Sequence, residues 1–146
     1  MEQHPNDRQV GGQHYRATTP HYQHWDLVAD FGMCYFTGNL TKYVVRWRKK
    51  NGVADLEKAV HYLDKLIMLY QTDRRSWANR ATAPVLLPEK FYLWCREQQL
   101  SAEEQAVVEL ACVYHSLADL YRLHARLLAL LATARQNQPG AAGSMP

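Results

Sequence analysis

The sequence has few of the features that mark secreted, membrane-spanning or disulfide-stabilised proteins. Its three cysteines are an odd number and lack the spacing of a disulfide framework, which favours reduced thiols in a cytosol. Residues 1–10 are polar and contain no apolar segment of a secretory signal. No apolar run reaches the roughly 18 residues that a membrane-spanning helix needs. We therefore expect a cytoplasmic protein with no membrane partner.

The signatures of common nucleotide enzymes and metal sites are also absent. The sequence contains neither the G-x-x-x-x-G-K-[ST] motif of P-loop kinases nor the G-x-G-x-x-G dinucleotide fingerprint. Helical nucleotide pyrophosphatases hold magnesium with clustered carboxylates. Here Glu103, Glu104 and Glu109 come nearest, but a second acidic cluster at a useful spacing is missing. His21 and His24 lack a carboxylate or thiolate that would complete a metal site, so we expect neither a metal nor a cofactor.

Charge and composition suit a globular protein with a mild preference for anionic partners. The 146 residues carry a formal net charge of +3 and a hydrophobic content of 47%. This length allows one compact domain, or one small domain with an appended helical element. The positive charge is small overall but concentrated locally, which directs attention to the segment that carries it.

Apolar residues recur at helical spacing along most of the chain, which predicts an all-α fold. The segments with this spacing are 21–32, 39–50, 53–70, 89–99 and 101–135. Residues 1–20 contain turn-forming residues without the helical period. Asn51-Gly52 predicts a tight turn between two antiparallel helices. The predicted fold is a small helical bundle with an irregular N-terminal arm and a long C-terminal amphipathic helix.

The segment 101–135 predicts a single helix much longer than usual. Ser101 and Glu104 have the spacing of a capping box at its start. One apolar stripe runs along the segment and contains Val107, Ala111, Tyr114, Leu117, Tyr121, Leu128 and Leu131. Such a stripe packs on another helix, either from the same chain or from a second copy. Of these two, we favour homo-oligomerisation.

The densest positive charge lies in the predicted helix 39–50, which contains no acidic residue. Its five cations are Lys42, Arg46, Arg48, Lys49 and Lys50. Lys42, Arg46 and Lys49 share one helix face, and such a stripe can hold several phosphate oxygens. The alternative is a solvated basic face that acidic residues of the next helix neutralise. These residues are Asp55, Glu57 and Asp64.

A second candidate site lies in the N-terminal arm. Gly11 and Gly12 allow close approach to the backbone, while His14 and Tyr15 provide a hydrogen-bond donor and a stacking ring. A Gly-Gly pair alone is more often a simple turn. The arm becomes a binding element if the basic helix faces it.

Two further residues could contribute to a nucleotide site. Trp47 lies within the basic helix and could stack on a base, although tryptophans usually belong to a core or an interface. His61 is near Glu57 and Asp64, where a carboxylate could orient its imidazole for proton transfer, or form only a surface ion pair with it. The candidate ligand-binding residues are therefore Gly11, Gly12, His14, Tyr15, Lys42, Tyr43, Arg46, Trp47, Lys49, Lys50 and His61.

Spaced motifs in the first half of the chain resemble the phage protein family DUF3310. These motifs are Gln9-Val10-Gly11-Gly12 with His14-Tyr15, Trp25-Asp26, Phe36 with Gly38-Asn39, Lys42-Tyr43, Arg46, Lys49-Lys50, Gly52, Asp55-Leu56 with Lys58-Ala59, Tyr62-Leu63 and Ile67. The resemblance covers about residues 9–70. It implies a phage origin and thus the host bacterial cytoplasm. One distant member is described as a metal-independent nucleotide kinase, which implies a link to deoxynucleotides.

Three functions are consistent with these observations. The first is a binding protein that sequesters a nucleotide or a nucleotide-derived immune signal, an anti-defence sponge that needs phosphate donors and stacking rings but no metal. The second is a nucleoside monophosphate kinase in which Lys42 and Arg46 stabilise the transferred phosphoryl group, with His61 or Asp55 near the acceptor. The third is a nucleic-acid or protein-binding module, which only the charge supports.

The predicted organisation has four parts. Residues 1–72 form the DUF3310-like helical region that binds nucleotide phosphates, and residues 73–88 form a connector. Residues 89–135 form a helical region that we expect to mediate oligomerisation, and residues 136–146 form a disordered tail.

Overall fold

The computed structural model describes residues 22–72 and 88–138, together with the isolated position 5. In these ranges the chain forms helices and no strand, which confirms the predicted all-α fold. The elements are α1 (His24–Asp30), α2 (Tyr35–Arg46), a 3₁₀ turn (Trp47–Lys49), α3 (Val53–Gln71), α4 (Glu89–Glu97), α5 (Ala102–Val113) and α6 (Leu117–Gln136). No helix in these ranges is long and apolar enough to span a membrane.

The α2–α3 hairpin follows from the turn signal in the sequence. After α2, the backbone tightens into the 3₁₀ turn and then reverses at Gly52, whose φ is +62°. A side chain is strained at this backbone conformation, so glycine is the residue that fits. The Gly52 amide donates to the carbonyl oxygen of Trp47 over 2.7 Å, and α3 begins at the next residue. The predicted tight turn is confirmed.

Both halves of the chain contribute to one hydrophobic core. Helix α3 packs against α2 and α6, and α5 packs against α6 and α2. The core includes Leu40, Val44, Leu56, Leu63 and Leu66 from the first half, and Val107, Val108, Leu120, Leu123 and Leu127 from the second. Helix α4 contributes Phe91 and Trp94, and the Phe91 ring meets the ring of Phe31 at 6.3 Å. The second half is therefore part of the same packing unit as the first.

The prediction of one helix over 101–135 is wrong, because the chain breaks at residues 114–116 into α5 and α6. The Ser101–Glu104 capping box is confirmed at the start of α5. A second capping box opens α6, where the Ser116 hydroxyl accepts from the Asp119 amide over 3.1 Å. The break folds α5 back against α6, so apolar residues of both segments enter the core. The signal that predicts it is Ser116-x-x-Asp119, which has the spacing of a helix start.

Most of the predicted apolar stripe is buried within the chain itself. Val107, Ala111 and Leu131 are buried against other helices, and the Tyr114 hydroxyl meets the Tyr70 hydroxyl at 3.1 Å. Exposed members of the stripe are Tyr121 (48%) and Leu128 (42%). The long amphipathic helix at the C-terminal end is confirmed as α6. Homo-oligomerisation stays a prediction.

Candidate functional site

The basic segment places two of its cations, together with one from α3, around a single aromatic ring. The centroid of Tyr43 lies 4.9 Å from Lys42 Nζ, 4.6 Å from the Arg46 guanidinium carbon and 5.4 Å from Lys58 Nζ. Such contacts let the negative face of the ring offset part of the repulsion among the cations. We call these four residues the Tyr43 cluster. It exists because α2 and α3 are antiparallel, which brings Lys58 back beside Tyr43.

A surface pocket of about 410 Å³ adjoins the Tyr43 cluster. It is lined by Phe36, Tyr43, Lys58, His61, Tyr62 and Lys65, and none of these described lining residues is a carboxylate. The Tyr43 and Tyr62 rings are stacked at 5.8 Å, with an interplanar angle of 25°. The Tyr35 hydroxyl meets that of Tyr62 at 3.4 Å. We call this cavity the Tyr43 pocket, and its volume is within the range of small-molecule sites.

One buried carboxylate organises the base of the Tyr43 cluster. Asp55 is fully buried and accepts from Arg46 through Nε to Oδ2 at 3.3 Å and Nη2 to Oδ1 at 3.4 Å. It also accepts from the backbone amide and the side chain of Asn51, at 3.3 and 3.2 Å. Lys58 Nζ lies farther away, at 3.9 Å. The guanidinium group of Arg46 is therefore paired with Asp55, and only part of the negative charge of Asp55 is left to offset the nearby lysines.

The electrostatics of Lys42 follow from this arrangement. Its pKa is lowered, first by partial burial and then by the positive charges of Arg46, Lys58 and Lys50, against which Asp55 acts in the opposite direction. A cation with too little negative charge nearby is stabilised when an anion binds beside it. Within the part of the chain that the structure describes, no carboxylate lies within 4.0 Å of Lys42.

The acidic residues that could have neutralised the basic helix are directed elsewhere. Glu57 pairs with Arg135 of α6 at 3.8 Å. Asp64 contacts His124 of α6, with Oδ1 2.9 Å from Nε2. Only Asp55 reaches the basic segment among the three candidates named by the sequence. The alternative of a fully neutralised basic face therefore applies to Arg46 but not to the neighbouring lysines.

A second buried carboxylate occupies the junction between the two halves of the chain. Glu104 is 2% exposed. Its Oε2 accepts from Trp47 Nε1 over 2.9 Å, and its Oε1 accepts from Arg48 Nη2 over 2.8 Å and from the Ser101 amide over 2.9 Å. We call Glu104 and these three partners the Glu104 junction. It ties the end of the basic segment to the first turn of α5.

A larger cavity, of about 730 Å³, lies beside the Glu104 junction. Its lining includes Trp47, Arg48, Val53, Glu103, Arg126 and Leu130. The two arginines are balanced by Glu103 in the lining and by Glu104 behind Arg48. This cavity lacks the excess positive charge of the Tyr43 pocket, so it is less suited to phosphate.

The structure thus separates the predicted site residues into distinct places. Lys42, Tyr43, Arg46 and His61 come together at or beside the Tyr43 pocket, whereas Trp47 lines the other cavity and belongs to the Glu104 junction. Lys49 and Lys50 are exposed at the end of the basic segment. Gly11, Gly12, His14 and Tyr15 lie outside the described residues, as does the relation of the arm to the basic helix.

Helix α3 contributes residues to the site that the spacing of cations on α2 does not predict. Lys58, His61, Tyr62 and Lys65 are at positions i, i+3, i+4 and i+7, so they share one face of that helix. This spacing was visible in the sequence, but only His61 was selected. His61 makes no hydrogen bond to Glu57 or Asp64 in the described structure, because those carboxylates face α6.

The described residues contain no group of three or more His, Cys, Asp or Glu side chains placed to hold a metal ion. The nearest acidic candidates from the sequence are used differently. Glu104 is buried in its junction, and Glu109 accepts from the Gln105 side chain over 3.2 Å. These side chains have structural partners on or near α5.

A comparison with known families finds a match in the first half of the chain. Residues 13–64 match the family "Protein of unknown function (DUF3310)". This confirms the resemblance drawn from the spaced motifs. The DUF3310 region includes α1, α2 and much of α3, together with all the lining residues of the Tyr43 pocket except Lys65. It also includes Asp55 and Asn51, but not Glu104.

No curated protein and no solved structure matches the chain. The DUF3310 match covers less than half of the chain, and α4, α5 and α6 lie beyond it. The candidate site is therefore almost entirely a feature of the DUF3310 region, while the partners that hold Glu57, Asp64 and Trp47 come from the other half.

Proposed function

We propose that this chain binds a nucleotide in the Tyr43 pocket and holds it without chemical change. In this role it sequesters a nucleotide, or a nucleotide-derived signal of the host, in the bacterial cytoplasm. One observation carries the proposal: the pocket combines aromatic rings with lysines, and none of its described lining residues is a carboxylate. Phosphate and a planar base are the two ligand groups that such a lining matches.

The lysines provide the phosphate-binding part of the site. Lys42 and Lys58 lie on the Tyr43 ring. The pKa of Lys42 is lowered first by partial burial and then by like charges, which a bound phosphate would offset. Hydrogen bonds to a charged group contribute about 1.5–3 kcal/mol each. Two such contacts give a site selective for anions even on an open surface.

The aromatic side chains provide the base-binding part. Phe36, Tyr62 and the His61 ring line the same cavity as Lys58. Stacking of a base on an aromatic ring contributes about 1–3 kcal/mol and does not require a particular base. A ligand with both a phosphate and a base therefore binds more tightly than phosphate alone.

The geometry favours binding over phosphoryl transfer. A kinase needs a group that positions or activates the acceptor. Asp55, one candidate for that role, is fully buried and accepts from Arg46 and Asn51. His61, the other candidate, lacks an orienting carboxylate among the described residues because Glu57 and Asp64 contact α6. The pocket thus has hydrogen-bond donors that can bind phosphate, but it has no positioned general base among its described residues.

The decisive experiment is to incubate the purified protein with a mixture of nucleoside monophosphates and triphosphates. The protein is then separated and denatured, and the retained compounds are identified by mass spectrometry. Recovery of an unchanged nucleotide at stoichiometric amounts supports sequestration. A transferred phosphate would support the kinase instead, and recovery of nothing contradicts both.

The site is tested by the double variant Lys42→Gln with Lys58→Gln. We expect its affinity for the retained nucleotide, measured by calorimetry, to fall about 100-fold, because two charge-assisted contacts are lost. The matched control is Lys90→Gln, since Lys90 pairs with Asp30 at 2.8 Å and lies outside the pocket. Unchanged affinity in the double variant, with circular dichroism like that of the wild type, would contradict the site.

A second variant separates the pocket from a diffuse basic surface. Lys49→Gln with Lys50→Gln removes two exposed cations that do not line the Tyr43 pocket. If the pocket binds a nucleotide, affinity should change by less than about threefold, since these residues act only through screened charge. An equal loss in this variant and in the Lys42/Lys58 variant would favour a nucleic-acid backbone as the ligand.

A further inference from the structure

The part of the Tyr43 pocket wall that belongs to α3 begins and ends with a lysine. The separation of these two cations indicates which ligands can contact both. Lys58 and Lys65 are both lining residues and lie seven residues apart on α3. At a rise of about 1.5 Å per residue, their Cα atoms are roughly 10 Å apart along the helix. The intervening lining residues, His61 and Tyr62, are both ring-bearing.

The two ends have different surroundings but the same sign of charge. Lys58 belongs to the Tyr43 cluster, where Lys42 and Arg46 add positive charge and Asp55 is 3.9 Å away. Lys65 is exposed, and no described carboxylate lies within 4.0 Å of it. Its neighbour Asp64 is engaged by His124 of α6.

A phosphate bound at the Lys58 end, where Lys42 and Arg46 add positive charge, lies about two helical turns from Lys65, so a second phosphate at the Lys65 end can make a contact of its own. The long, flexible stem of lysine lets its ammonium group adapt to a range of phosphate positions. Two phosphates on the same side of a nucleoside would compete for the Lys58 end and leave Lys65 without a partner. Two phosphates on opposite sides of the sugar and base would reach both ends.

We propose that the natural ligand carries phosphate groups on both sides of a nucleoside, as a nucleoside 3′,5′-bisphosphate or a 5′-phosphorylated dinucleotide does. This inference rests on the proposed function and makes its ligand class more specific. The Lys58 end binds one phosphate, the rings between the two lysines contact the base, and Lys65 binds the second phosphate.

The test compares three probes with the same base, namely a nucleoside 5′-monophosphate, its 5′-diphosphate and its 3′,5′-bisphosphate. Calorimetry is performed with both the adenosine and the thymidine series. We expect the bisphosphate to bind at least about tenfold more tightly than the monophosphate. The 5′-diphosphate matches the bisphosphate in its number of phosphates but places both on one side, so it should lack most of this gain.

The variant Lys65→Gln should reduce bisphosphate affinity to about the level of the monophosphate. Its effect on the monophosphate should be less than about threefold, because the second phosphate is absent there. Lys90→Gln is again the matched control, and it should leave the ratio between the probes unchanged. This ratio is insensitive to a partly unfolded fraction, since that fraction affects all probes equally.

The outcomes distinguish the two proposals. If the monophosphate and the bisphosphate bind equally, or if the 5′-diphosphate equals the bisphosphate, then the two-ended ligand is excluded while nucleotide binding stands. If none of the probes binds in either series, both proposals are overturned. A Lys65→Gln variant that keeps the full preference for the bisphosphate also contradicts the assignment.

Discussion

Two buried carboxylates, Asp55 and Glu104, bind the two arginines of the basic segment, but the net charge around the two pairs is very different. Asp55 binds Arg46 beneath a cluster that still contains Lys42 and Lys58, so positive charge remains in excess. Glu104 binds Arg48, but its other donors are the neutral groups of Trp47 and Ser101. The first carboxylate borders a candidate anion site, and the second joins the halves of the chain.

The comparison teaches that a count of cations in a sequence does not give the charge available to a ligand. The planar fork of arginine suits a buried carboxylate, whereas lysine is strongly hydrated and keeps its ammonium near water. Here the arginines are engaged by the fold, and the lysines face outward.

The largest effect is expected for Glu104→Ala. This substitution leaves the Trp47 indole and the Ser101 amide without their acceptor and removes the partner of Arg48. We expect the free energy of unfolding to fall by about 3 kcal/mol, a value moderated by the half-exposed guanidinium of Arg48. Urea denaturation provides the measurement.

The control for Glu104→Ala is Glu103→Ala, which removes an exposed carboxylate from the same turn of α5. Its effect should be within about 0.5 kcal/mol. Similar losses in the two variants would show that the Glu104 junction does not hold the halves together. Nucleotide affinity should be unchanged in both variants, because the Tyr43 pocket is formed by α2 and α3.

A smaller loss of stability, with a gain of affinity, is expected for Asp55→Asn. The amide cannot accept from Arg46 and Asn51 with both of its polar atoms, so the free energy of unfolding should fall by about 2 kcal/mol. The pKa of Lys42 should fall further, because Asp55 is the group that raises it. With one negative charge removed, affinity for a nucleoside monophosphate should rise about fivefold.

The matched variant Glu57→Gln removes a carboxylate of α3 that faces Arg135 of α6. It should change affinity by less than about twofold, since an exposed charge is screened. If Asp55→Asn weakened nucleotide binding in a folded protein, the view that Asp55 opposes the ligand would be incorrect. Thermal denaturation with and without nucleotide separates the stability effect from the affinity effect.

The effect that is smallest at neutral pH concerns the contact between α1 and α2, and it grows only as the solution is acidified. His24 Nε2 lies 2.8 Å from Thr41 Oγ1, and the pKa of His24 is lowered to about 4, first by burial and then by the charge of Lys42. The unfolded chain thus takes up a proton near pH 6.5, before the folded chain does. Stability is complete above that pH and decreases by up to about 3 kcal/mol as pH falls from about 6.5 to 4.

The variant His24→Gln should lack this part of the pH dependence, when unfolding free energies are measured by urea denaturation between pH 7 and 4. His115→Gln, which changes an exposed histidine, should retain the wild-type dependence. The same loss of stability in the His24 variant would mean that another group accounts for it. This measurement reports on the positive charge around the Tyr43 cluster and is independent of Glu104, so it separates the two carboxylate environments.

Much of the fold could be predicted from the sequence because apolar spacing and turn residues are local signals. The starts of α3 and α4 and the reversal at Gly52 agree with the predicted segments. The break between α5 and α6 was missed, since continuous apolar spacing outweighed the shorter Ser116–Asp119 signal. That choice depends on which surfaces the rest of the chain covers, and this information is not local.

The site was predicted only in part for a similar reason. Tyr43 and His61 were both named as candidates, and they line one pocket because the hairpin fixes how α2 and α3 meet. Trp47 was assigned to the same surface, but its indole donates to Glu104, which is 57 positions away. A capping pattern predicts that Glu104 begins a helix. The capping pattern does not predict which distant groups donate hydrogen bonds to the second carboxylate oxygen of Glu104.

The polar contacts between α3 and α6 let the second half of the chain affect the pocket without contacting a ligand. Glu57 and Asp64 are held by Arg135 and His124, while the described walls of the Tyr43 pocket all belong to α2 and α3. Because α6 holds these two carboxylates on its own side of α3, it influences the electrostatic potential over the pocket from a distance. Because both charges are exposed and screened, proteins that share the pocket but differ in α6 would differ in affinity only slightly, by about twofold or less for each charge.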